Sequence, residues 1–170
     1  VDSLLNKNST EQSRDYSKKA ISIISKNLTL LLDDLENIEL RKETLYASNL
    51  SGKAINISRT SLNHSISYPL TNYYGVPHGL ACAFSVVTTF EYYKNQISNL
   101  DFGRYVNLAV EVIEQLNLSQ IYKTKLKQLD VGIITDEALK NSRSENFLFH
   151  IDKKVINHIL SEAKKYYLTA

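Results

Sequence analysis

"HSISYPLTNYYGVPHG", residues 64 to 79, places two histidines, two prolines and two glycines in sixteen positions, although the 170-residue chain has only four His, two Pro and five Gly. His64 and His78 are fourteen residues apart. Along one unbroken helix that separation is roughly 21 Å, too long for a shared ligand. The intervening residues argue against such a helix. Pro69 lacks a helix-forming N–H, Gly75 admits backbone conformations that other residues avoid, and Pro77 suits the first turn of a new helix. The chain is therefore expected to leave a helix near His64, turn, and re-enter another with His78 at its mouth. Such a return brings two imidazoles toward one point.

On either side of this stretch the periodicity is helical. Tyr16, Ala20, Ile23, Ile24, Asn27, Leu28 and Leu31 recur at three- and four-residue steps, the apolar stripe of an amphipathic helix that starts between Ser9 and Ser13. A second helix is expected from Ile38 to Arg59, with Tyr46, Ala47, Leu50, Ala54 and Ile57 on one face. Gly52 inside it costs roughly 1 kcal/mol relative to Ala, which suggests a closely packed neighbouring backbone. Further helices are expected over 77–94, 101–117, 119–129, 135–142 and 152–167. "DVGIIT", residues 130 to 135, is the nearest thing to a strand and reads more simply as a helix–helix connection. The expected fold is all-α: one compact multi-helix domain over residues 1–170.

The bulk numbers exclude several function classes. Twenty basic against eighteen acidic side chains leave a net charge of +2, and the basic residues are scattered rather than clustered, so no nucleic-acid binding is expected. No apolar run approaches the roughly 20 residues of a membrane span. No secretory leader is visible at the N-terminus. Cys82 is the only cysteine, so no internal disulfide can form. Asn-x-Ser/Thr triplets at Asn8, Asn27, Asn49, Asn56, Asn63 and Asn117 are ordinary for a chain rich in Asn and Ser, and several fall in helical patterns. The expected location is cytoplasmic.

The residues alone leave two readings of the histidine pair. His78 at a helix start is expected to be neutral, because the positive end of the helix dipole disfavours imidazolium, and a neutral ring is what a metal requires. Two imidazoles make a poor site by themselves, since zinc and iron sites take three or more protein ligands, commonly with a carboxylate. No Asp or Glu occurs from Asn63 to Phe90. Cys82, four residues after His78, could reach the site but reads more simply as a small buried hydrophobe. The other reading makes both histidines structural. His150 and His158 have no supporting neighbours and read as structural.

Residues 46 to 84, "YASNLSGKAINISRTSLNHSISYPLTNYYGVPHGLACAF", resemble the signature region of iron-containing (group III) alcohol dehydrogenases. There a helix opening "AS-x-x-AG-x-A" leads to a His, a turn, then "PHG" and a helix of small residues. The His-to-His spacing agrees, and both histidines are metal ligands in that family. The resemblance thus implies His64 and His78 as ligands of a divalent ion, Fe(II) first and Zn second. It aligns Asp2 with an acidic position three residues beyond the family's first ligand His. The family's remaining Asp and His ligands, and its nucleotide-binding α/β domain, would then lie upstream of Val1. The expectation is a C-terminal helical metal-binding domain belonging to a longer two-domain dehydrogenase.

What the resemblance implies about activity follows from that assignment. The parent enzyme would bind NAD or NADP mainly through its N-terminal domain. It would act on a small alcohol or aldehyde, with the ion polarising the substrate oxygen while hydride moves to or from the nicotinamide. This chain alone is expected to be inactive and to hold metal weakly or not at all. Partners implied are the small substrate and the native N-terminal domain; a homo-oligomer is an open expectation. Tyr68 stands where many members carry a second His, and its phenol is a candidate for a catalytic hydrogen-bond chain. Cys82 replaces a residue that is often Asn. Tyr-Pro in place of His-Pro is more similar to members that reduce phosphonoacetaldehyde or related small anionic aldehydes. Two other readings stand beside this one: a dehydroquinate synthase-like metal enzyme of the same superfold, and a non-catalytic helical interaction domain.

Overall fold

A computed structural model describes residues 1–169 as an all-helical domain, with no strand among the described residues beyond an isolated bridge between Asn6 and Phe147. Helix α1 spans Glu11–Asp33 and α2 spans Ile38–Ser58. Each start is fixed by a side chain that accepts a backbone N–H otherwise left unpaired. Thr10 accepts from Ser13 N, and the Ser13 hydroxyl accepts from Thr10 N in return. Asn37 accepts from Leu40 N. The two helices form a hairpin over a small core of Ala20, Ala47 and Leu50, flanked by Tyr16, Ile23 and Ile24. Asn27 donates to the Glu43 carboxylate across it. Gly52 does not sit against a neighbouring backbone as its position suggested: a Cβ there would meet nothing within 4 Å.

Helix α3, Leu62–Tyr74, runs through the body of the domain, with Leu62, Ile66 and Leu70 fully buried. His64 therefore lies in the first turn of a helix and not at the end of one, and Pro69 is inside it. An interior proline costs a helix about 3 kcal/mol. Burial of the apolar face offsets this, since tertiary packing rather than propensity supplies most helical stability. The return occurs at Gly75, six residues after Pro69. Gly75 takes the left-handed conformation (φ 63°), its N–H reaching Thr71 O, while Val76 N–H reaches back to Leu70 O. This is the glycine-ended helix stop. Val76 is then buried and Pro77 precedes α4, His78–Ala83.

The single helix expected over 77–94 is instead two, α4 and α5 (Val86–Tyr92), and a further short helix, α6 (Lys94–Ser98), begins where it was expected to end. The break at Phe84–Ser85 has a packing cause. Phe84 is fully buried against the rings of Tyr122 and Tyr167, and the Ser85 hydroxyl donates to the buried Asn63 side chain. Helices α7 (Gly103–Gln115) and α8 (Ser119–Lys125) follow. Helix α9 begins at Val131 and ends at Lys140, capped by Asp130, so "DVGIIT" is a helix start and not a connection. A 3₁₀ turn at Ser142–Asn146 leads to α10, Lys153–Leu168. No helix among the described residues is long and apolar enough to cross a membrane.

Candidate metal centre

The Gly75–Pro77 return places the rings of His64 and His78 with centroids 5.5 Å apart and planes 66° to each other. His64 is partly buried; His78 is exposed. Neither ring is shut inside the core.

The carboxylate missing from residues 63–90 comes from the other end of the chain. Asp2, 6% exposed, accepts from Ser61 N, His64 N, the Asn63 side-chain amide at 2.7 Å and His64 Nδ1 at 2.8 Å. The Nδ1–H is thereby committed to Asp2, and Nε2 is the atom left to face His78. A carboxylate behind an imidazole is the usual support for a metal-bound histidine, because it fixes tautomer and ring orientation. Asn63 relays the support inward: its carbonyl oxygen accepts from Ser85 Oγ at 2.7 Å and from Thr89 Oγ1 at 3.4 Å.

Burial works against charge on His64, but the Asp2 hydrogen bond, the nearby Cys82 sulfur and the Asp2 charge outweigh it and push the imidazole up to about 9. Asp2 mirrors this. Burial would raise it, yet the His64 and Asn63 hydrogen bonds and the His64 charge hold it down at about 2. The two therefore form a part-buried charged pair, and an ion must displace the proton on Nε2.

Besides His64, His78 has Ser67, Cys82 and Tyr68 beside it. Ser67 Oγ, which donates to His64 O, lies 3.5 Å from its Nδ1; Cys82 Sγ lies 3.6 Å from its Nε2; and Tyr68 stacks on its ring with centroids 5.8 Å apart. The exposed Arg143 guanidinium lies 5.1 Å over the other partner in that stack, Tyr68. His64, His78 and Cys82 each present a ligand atom within 4.8 Å of the other two. The two imidazole nitrogens suit iron(II) or zinc, and the sulfur suits zinc, so the histidine pair fits a divalent ion of the kind that the sequence resemblance implies. Cys82 is half-buried beside the histidines rather than enclosed in the core, contrary to the sequence reading. His150 and His158 lie away from this cluster: His150 Nε2 is 3.7 Å from Asp152, and His158 sits against Tyr92.

Residues 1–163 match the family model described as "Fe-containing alcohol dehydrogenase family, C-terminal". The chain belongs to that family. Among its relatives, a phosphonoacetaldehyde reductase from Streptomyces viridochromogenes is 33% identical over 84 residues, covering 49% of this chain and 21% of that protein. An NAD-dependent methanol dehydrogenase from Bacillus methanolicus is 24% identical over 161 residues, covering 83% and 42%. A solved 1,3-propanediol oxidoreductase superposes with a TM-score of 0.81 at 21% identity, covering 96% of this chain and 48% of that one. This alcohol dehydrogenase family chain thus spans less than half the length of these relatives.

Proposed function

We propose that this chain is the metal-holding domain of an NAD(P)-dependent alcohol dehydrogenase or aldehyde reductase, with His64 and His78 as two ligands of one divalent ion. Iron(II) is the first expectation and zinc the second, with the nucleotide held mainly by a separate N-terminal domain. The observation that carries the reading is the convergence of the two imidazoles, one backed by a buried carboxylate, in a chain of this family. When bound, the ion would supply electrophilic pull on the oxygen of a small alcohol or aldehyde.

The chain's own residues supply positioning. Asp2 and Asn63 hold the His64 ring, and Ser67 lies beside His78 Nδ1. Tyr68 borders the rings and offers a phenol for passing a proton to or from substrate. Arg143 makes no ion pair among the described residues and leaves a permanent positive charge beside Tyr68. That charge suits a small aldehyde with a phosphonate-like group, in keeping with the 33% identical reductase.

In the enzyme that contains this chain, His64→Ala and His78→Ala are each expected to abolish metal retention, read by elemental analysis of the purified protein. Normal metal content in either variant would overturn the ligand assignment. The 170 residues alone are expected to give no nicotinamide turnover with any alcohol or aldehyde; steady turnover would sink the proposed division of labour.

A further inference from the structure

The chain carries one more donor at this centre than its histidines provide. Cys82 stands four residues after His78 on α4, the spacing that puts two side chains on one helical face. Its sulfur lies 3.6 Å from His78 Nε2. An imidazole nitrogen about 2.05 Å and a thiolate about 2.3 Å from one tetrahedral ion are separated by about 3.6 Å. The Sγ–Nε2 separation therefore matches the gap that a shared ion demands. The His64 ligand atom completes the group within 4.8 Å, and its ring cannot swing away, because Nδ1 is tied to a buried carboxylate.

We infer that Cys82 is a third protein ligand, so that His64, His78 and Cys82 form a His₂Cys half-site able to take up a soft divalent ion without ligands from any other segment. This rests on the reading of His64 and His78 given above and extends it. On binding, the thiol proton leaves to solvent and the sulfur coordinates as thiolate. A sulfur donor favours zinc and cobalt over iron(II), and it makes the ion-free chain open to oxidation at the same atom.

The chain has one cysteine and no methionine, so a sulfur-to-metal signal has one source. Titration of the reduced, ion-free chain with cobalt(II) is expected to give a near-ultraviolet sulfur-to-cobalt charge-transfer band that saturates at one ion per chain. Zinc is expected to bleach it. The band should vanish in Cys82→Ser and Cys82→Asn, with helical circular dichroism retained to show that the variants fold. Visible cobalt bands that are lost in His64→Ala and His78→Ala, but lack the sulfur band and are unchanged in Cys82→Ser, would overturn the role of Cys82 and leave the histidine reading intact. One cobalt shared by two chains would overturn the self-contained half-site. Cobalt uptake unaffected by either histidine substitution would overturn the histidine reading and the inference together, whereas no uptake at all by the 170 residues would overturn the self-contained half-site and leave the histidine reading to the whole enzyme.

Discussion

Asp2 determines which nitrogen of His64 faces His78, and the consequences can be measured. In the ion-free chain His64 is raised to about 9 from 6.5, so its contribution to stability is whole below pH 6.5 and is lost as pH climbs through about 9. Asp2 is lowered from 3.8 to about 2, so its contribution is whole above pH 3.8 and is lost as pH falls through about 2. The pair therefore stabilises the fold fully only between about pH 4 and 6.5. Asp2→Asn is expected to return the His64 titration toward its ordinary value, followed through the imidazole proton resonances; an unchanged titration would remove Asp2 from its supporting role. Asn63→Leu leaves the Ser85 hydroxyl without its acceptor and Asp2 without one donor. The expected cost is about 2–4 kcal/mol of unfolding free energy by urea titration. Arg143→Ala in the whole enzyme is expected to raise KM for an aldehyde carrying a phosphonate while leaving a neutral aldehyde unaffected. Equal effects on both would remove the guanidinium from substrate recognition.

At the scale of elements, the histidine pair was legible because the chemistry of the return is local: Gly75 and Pro77 mark a stop and a restart whatever surrounds them. The course of α3 was not legible. Pro69 reads as a helix breaker, and only the burial of Leu62, Ile66 and Leu70 on the same face keeps the helix running through it. Nor could the division of 77–94 be read, because it depends on aromatic rings from α8 and α10 that receive Phe84. Asp2 was visible as a family position, but its partnership with His64 spans 62 residues and leaves no periodic trace. Cys82, four residues after His78 and so on the same helix face, was read as a hydrophobe because a lone cysteine is more often a small buried side chain. The stop itself can be tested. Gly75→Ala forces a side-chain-bearing residue into the left-handed region at φ 63°, at a cost of about 1–2 kcal/mol. It should also weaken cobalt uptake, because the return sets the distance between the rings. Full cobalt affinity alongside lowered stability would mean that the rings are positioned by the surrounding helices and not by the bend.

For the whole molecule, the domain has two cores of very different size. The main one gathers Leu4, Leu5, the apolar face of α3, Phe84, Tyr122, Phe147 and the inner face of α10. The other is the three-residue centre of the α1–α2 hairpin. Local stability follows buried apolar contact, so amides in α3 are expected to be the slowest to exchange with deuterium and those from Leu28 to Arg41 among the fastest. Equal protection in both regions would refute the two-core description.

The far end of the hairpin carries exposed leucines and isoleucine at Leu30, Leu32, Leu35, Ile38 and Leu45, yet nothing there touches the ring pair. It is an outrigger, lashed to the hull along α1, where Ile21 packs on the main core and Lys18 pairs with Asp101. Splicing a flexible insert between residues 34 and 37 should alter how readily the protein clumps in solution while leaving its ion chemistry where it was.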